Sequence, residues 1–108
     1  MNETPNFVGV SDMEHLLKED GAVTLIDART AEEFAGGHVP GAINVPIAEL
    51  TDFAQKHRNA SAGFVVTMCG STGRGEKASS ILSAQGLANI KVMKGGLKAW
   101  QEAGFPLT

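Results

Sequence analysis

Five short apolar runs recur along this chain, and each is followed by a segment with helical spacing. They cover residues 7–10, 23–27, 42–45, 64–68 and 90–93. Several are apolar at consecutive positions, the pattern of strands covered on both faces. Strands alternating with helices in this way build a parallel sheet wrapped by helices. The expected fold class is therefore α/β, with a central five-stranded, mainly parallel sheet and helices on both faces. At 108 residues the chain suits one domain spanning 1–108.

The helical segments carry their own punctuation. Ser11 and Glu14 have capping-box spacing, and the apolar residues Met13, Leu16 and Leu17 follow on one face, up to a stop at Gly21. Thr30 and Glu33 form a second capping box. Residues 36–41, rich in glycine and proline, read as a loop. Leu50, Phe53 and Ala54 mark a helix ending near His57. Ala78, Ile81 and Leu82 mark another, ended by Gly86. Leu97, Trp100 and Ala103 give the inner face of the last helix, capped by Gly104.

Ligands of such sheets sit beyond the carboxyl ends of the strands. The single cysteine, Cys69, falls at such an end and opens Cys69-Gly70-Ser71-Thr72-Gly73-Arg74-Gly75. This reads as a strand, a tight loop, then a helix N-terminus. A free thiol titrates at about 8.5, and helix N-termini or nearby cations lower that value. Gly70, Gly73 and Gly75 let the backbone curl and take positive φ. Ser71 and Thr72 add hydroxyl donors, and Arg74 supplies a charged planar fork for an oxyanion. A buried, inert cysteine is the commoner role for a lone thiol. A nucleotide phosphate loop is disfavoured because no Lys-Ser/Thr pair has the required spacing.

Composition removes other classes. Net charge is −3 and the basic residues are scattered, so no nucleic-acid surface is expected. One cysteine makes no internal disulfide, and no Cys/His spacing suggests a metal. Residues 1–5 show no basic start or apolar core of signal length, and no run approaches the ~20 apolar residues of a membrane span. A reducing cytoplasm, where a lone thiol stays usable, is the expected location.

The motifs resemble a single-domain rhodanese, the thiosulfate:sulfurtransferase family, over nearly the whole chain. Asp27-Ala28-Arg29-Thr30-Ala31-Glu32-Glu33-Phe34 is similar to the family's Asp-x-Arg-x-x-x-Glu-aromatic signature. Residues 37–46 resemble the following loop and strand, and residues 94–100 and 103–106 resemble the C-terminal signature. The resemblance implies a Cys69 nucleophile in a substrate-binding loop of Gly70, Ser71, Thr72, Gly73, Arg74 and Gly75. It implies sulfur transfer from a small anionic donor such as thiosulfate to cyanide, a thiol or a protein acceptor, with no metal or organic cofactor. Phosphatase and arsenate-reductase relatives usually have a loop one residue longer than the six from Cys69 to Arg74. They remain an alternative, as does a non-catalytic interaction module. Thr72 stands where many members have glycine, and Gly75 where many have serine or alanine, which bears on donor preference.

Among the remaining polar residues, Asp27 and Arg29 read as a pair that fixes connecting loops. Glu33 caps its helix. His38 reads as structural, since a thiolate needs no base. His15 and His57 read as solvated and Trp100 as core; Lys94 reads either as steering anions towards Cys69 or as a surface lysine, and Lys77 as a weak contributor to positive field.

Overall fold

The computed structural model describes residues 6–19, 23–57, 64–70, 73–87 and 89–108. Its strands are β1 (Asn6–Val8), β2 (Val23–Asp27), β3 (Ile43–Asn44), β4 (Phe64–Met68) and β5 (Ile90–Met93). They form one sheet in the order β1-β5-β4-β2-β3, and every pairing is parallel. The helices are α1 (Val10–Leu17), α2 (Ala31–Ala35), α3 (Leu50–His57), α4 (Gly73–Ala84) and α5 (Gly96–Glu102), with a 3₁₀ turn at Ile47–Glu49 before α3.

Two apolar clusters explain why the strands are apolar without alternation. Leu25, Val66, Met68 and Met93 pack with Met13 of α1 and Trp100 of α5. Ile26 and Ile90 pack with Leu50 and Ala54 of α3 and with Ala78 and Leu82 of α4. Successive residues of one strand thus feed opposite faces, and both faces are covered.

The strand order places a crevice where the site stands. From β2 the chain moves outward to β3, and from β4 it moves the other way to β5. The connections leaving β2 and β4 therefore diverge, which opens a switch point at the carboxyl ends of these neighbours. The register pairs Asp27 with Met68, so the residues that follow them, including Cys69, emerge at this one edge.

Several local expectations change. The first strand ends at Val8, and Val10 already belongs to α1. Gly9 occupies the N-cap of α1 with no side-chain cap, so Ser11 lies inside the first turn and makes no capping box with Glu14. Met13 lies on the wholly buried face, as the apolar spacing implied. Gly21 lies outside the described residues, and the helix ends at Leu17 with Lys18 as C-cap. The third strand shrinks to two residues at the sheet edge. Ala103 is exposed and forms the C-cap of α5, and Gly104 follows with φ 86°, the left-handed cap glycine. Gly86 closes α4 in the same way at φ 96°.

Candidate active site

The centre of the site is built by β4 and the helix that follows it. Four residues after Cys69, α4 begins at Gly73, so Arg74 and Gly75 sit in its first turn. First-turn N–H groups have no partner within their own helix. That of Gly75 donates to Cys69 Sγ at 3.3 Å. Cys69 is buried at 1% exposure, yet it belongs to neither apolar cluster of the described residues. Ser71 and Thr72 lie outside the described residues.

The loop is held from two sides by three hydrogen bonds. Leu97 N–H donates to the Cys69 carbonyl at 2.8 Å, and Lys98 N–H donates to the Gly70 carbonyl at 3.0 Å. Both donors come from the first turn of α5. A trans peptide points its N–H opposite to its carbonyl, so the Gly70 N–H faces away from α5. From below, Thr67 Oγ1 donates to the Gly75 carbonyl at 2.7 Å and ties the start of α4 to β4. Thr67 is wholly buried in an otherwise apolar strand. That misplaced hydroxyl was the sequence signal for this brace, and only its bond in the fold explains it.

The glycines act differently from the expectation. Gly70 and Gly75 have no positive φ. Gly75 is needed for proximity: a Cβ there would lie 3.3 Å from Met68 Cα and 3.4 Å from Val92 Cγ1. Its hydrogen atom lets the first turn of α4 lie against β4, which puts its N–H within reach of the sulfur. Positive φ is instead used at Gly95, φ 79°, and Gly96, φ 61°, which turn the chain into α5. Neither was expected at the site.

Arg74 is engaged within the protein. Its Nη1 donates to Glu33 Oε1 at 2.9 Å and its Nη2 to Glu33 Oε2 at 3.2 Å, a two-armed pair. Each side chain is 42% exposed. Glu33 does cap α2 as expected, since its Oε1 accepts from Thr30 N–H at 3.0 Å within a full capping box. The pairing with Arg74 was not expected. Hydrogen bonds from the Arg74 guanidinium and from the Thr30 backbone hold the Glu33 carboxyl down at about 2. The reciprocal bond to Glu33 raises Arg74 above its usual value, and the Cys69 and Asp27 charges add to this. Nη2 lies 3.8 Å from where a Cβ of Gly70 would stand, so the guanidinium leans over the loop beside Cys69.

The neighbouring polar residues support the loops, as expected. Asp27 is wholly buried and accepts from Arg29 Nε at 3.0 Å and Nη2 at 2.8 Å. Arg29 Nη2 also donates to the Gly37 carbonyl at 2.8 Å, and Asn44 Nδ2 bridges the Asp27 and Arg29 carbonyls. His38 stacks on Phe34 at 3.7 Å, its Nδ1 lies 2.9 Å from the Phe34 carbonyl, and its backbone pairs with Thr108. Trp100 is core, with Nε1 donating to the Pro106 carbonyl at 2.8 Å. Lys94, Lys77 and His15 are exposed, and the His57 side chain lies outside the described residues. No cluster of His, Cys, Asp or Glu among the described residues could hold a metal ion.

A family model described as the rhodanese-like domain matches residues 10–103. This chain belongs to the rhodanese-like family. It is 37% identical over 92 residues to the chloroplastic thiosulfate sulfurtransferase 16 of Arabidopsis thaliana, covering 75% of this chain and 76% of that one. A 35-residue stretch is 63% identical to an HTH-type transcriptional regulator of Mycobacterium tuberculosis, covering 32% of this chain and 16% of the regulator. The chain also spans about half, 49%, of a Synechocystis relative of uncharacterized role. The solution structure of a rhodanese-like domain from Anabaena superposes with a TM-score of 0.85 at 25% identity, over 98% of this chain and 80% of that one. No helix among the described residues of this rhodanese-like chain is long and apolar enough to cross a membrane.

Proposed function

We propose that this rhodanese-like chain is a sulfurtransferase that carries sulfane sulfur on Cys69 as a persulfide. The observation that carries the reading is the Gly75 N–H, at the first turn of α4, donating to Cys69 Sγ at 3.3 Å. An N–H aimed at sulfur stabilises negative charge there, and a helix N-terminus adds to it. The resemblance to a plant thiosulfate sulfurtransferase supports the same reading.

The reaction runs in two displacements. The Cys69 thiolate attacks the outer sulfur of a donor such as thiosulfate. A new S–S bond forms, the S–S bond of the donor breaks, and sulfite leaves with the electron pair. An acceptor such as cyanide or a thiolate then attacks the terminal sulfur of the persulfide. The Cys69 S–S bond breaks and its electrons return to Cys69. For cyanide the product is thiocyanate. No net redox change falls on the protein, so the cycle needs no electron carrier. The Gly75 N–H that faces the thiolate sulfur also lies beside the persulfide formed on it. By analogy with oxyanion sites, each such donor contributes on the order of 3 kcal/mol.

Intact-mass measurement after incubation with thiosulfate tests this. The expected result is a one-sulfur adduct that cyanide removes and that Cys69→Ser abolishes. An adduct that survives Cys69→Ser, or none at all, overturns the proposal.

A further inference from the structure

Gly75 is held at both of its peptide groups by side chains from the end of β4. Its N–H donates to Cys69 Sγ at 3.3 Å, and its carbonyl accepts from Thr67 Oγ1 at 2.7 Å. Thr67 and Cys69 are two positions apart, the spacing at which side chains leave an extended chain on the same side. They form a clip, with the hydroxyl as one arm and the sulfur as the other, closed on the first turn of α4. Packing does not ask for this hydroxyl. The rest of β4 is Phe64, Val65, Val66 and Met68, and valine has the outline of threonine. The Gly75 carbonyl does not need it either, because the Ser79 N–H lies one helical turn further along α4. The hydroxyl bond is thus an addition to a carbonyl the helix already serves. It falls on the residue whose N–H faces the sulfur. Contact with Met68 Cα, 3.3 Å from where a Gly75 Cβ would stand, limits how close the turn can come. The Thr67 bond draws the turn in.

We infer that Thr67 is a positioning residue for the reactive sulfur. Through the Gly75 carbonyl, its hydroxyl keeps the Gly75 N–H on Cys69 Sγ and so favours the thiolate over the thiol. Its consequence for turnover rests on the sulfurtransferase reading; its effect on the thiolate does not. Thr67 is wholly buried and touches no substrate. Without the hydroxyl, the first turn of α4 is free to ride away from β4. The contact between N–H and sulfur then lengthens, and the thiolate loses part of a charge-assisted hydrogen bond.

The test uses two pairs that differ in the hydroxyl: the parent with Thr67→Val, and Thr67→Ser with Thr67→Ala. The chain has one cysteine and no tyrosine, so the rise in ultraviolet absorbance that marks a thiolate reports Cys69 alone as pH increases. On the rising part of the parent's curve, the ratio of thiolate to thiol is expected to fall roughly three- to tenfold in Thr67→Val, as for a charge-assisted hydrogen bond weakened rather than lost. A similar factor is expected between Thr67→Ser and Thr67→Ala, and Thr67→Ser should stay within about twofold of the parent because the hydroxyl is kept. Loading of Cys69 from thiosulfate, followed by intact mass, should be slower in Thr67→Val and Thr67→Ala at low pH, and the deficit should close as pH rises and the thiolate fills. Thiolate curves that coincide within each pair, Thr67→Ser and Thr67→Val curves that shift alike, or a loading deficit equal at every pH would each assign Thr67 a merely structural role and overturn the inference. A folded parent with no thiolate step overturns it as well. If Thr67→Val fails to fold, the serine and alanine variants make the same comparison. If the parent shows the thiolate step but takes no sulfur from thiosulfate, the sulfurtransferase reading fails while the absorbance titration still decides what Thr67 does.

Discussion

Gly95→Ala is expected to damage this fold more than any surface change, and the structure supplies the reasons separately. Gly95 sits at φ 79°, and an added Cβ would stand 2.5 Å from Ala99 Cβ. The left-handed backbone costs an L residue roughly 1–2 kcal/mol. The overlap forces α5 to shift, and overpacking of this kind costs about 1–3 kcal/mol. Together they predict a loss of about 2–5 kcal/mol, or about 8–20 °C in melting temperature for a domain of this size. Ala99→Gly removes the other half of the clash but leaves the strained φ, and costs about 1 kcal/mol by itself through lost helix propensity. A double-mutant cycle by urea unfolding should therefore show a favourable coupling of about 1–3 kcal/mol between the two positions. The site should report the same coupling. Because α5 donates to the Cys69 and Gly70 carbonyls, Gly95→Ala should slow persulfide formation and Ala99→Gly should restore part of it. Additive effects of the two substitutions, or a Gly95→Ala variant within 1 kcal/mol of the parent (a bound taken from the smaller strain term), would refute the reasoning.

Two further outcomes follow from the ion pairs. Arg29→Met should destabilise the protein by about 3–5 kcal/mol, since it strands the wholly buried Asp27 carboxylate; addition of Asp27→Asn should recover part of that loss in the same unfolding measurement. The Glu33 carboxyl is lowered in the folded protein from 4.5 to about 2. Its contribution to stability is therefore fully present above the unfolded value, declines as pH falls through the window between the two, and is gone below about 2. Carboxyl NMR titration should show Glu33 still ionised well below 4.5, and Arg74→Ala should move its titration back up towards that value.

Much of the architecture was legible because its causes are local. A strand covered on both faces announces itself by consecutive apolar residues, and Val23–Asp27 and Phe64–Met68 were read with the bounds they adopt. The Thr30–Glu33 capping box was legible because both partners lie within one turn. The similar Ser11–Glu14 spacing misled, since α1 starts at Val10 with Gly9 as its N-cap, which leaves Ser11 inside the first turn. Cys69 could be placed at a strand's carboxyl end from the apolar run before it.

What the amino-acid order determined alone is therefore the alternation of strands and helices, one capping box, two terminating glycines, and the position of the single thiol at the end of a strand. Which peptide groups hold that thiol's loop, and which carboxylate meets its arginine, were decided only by tertiary structure. Glu33 and Arg74 are 41 residues apart, and the α5 amides reach the Cys69 loop across a separate strand and turn. Local periodicity and capping act over about four residues. The meeting of distant segments depends instead on strand order and register, which emerge only when both sheet faces are packed at once.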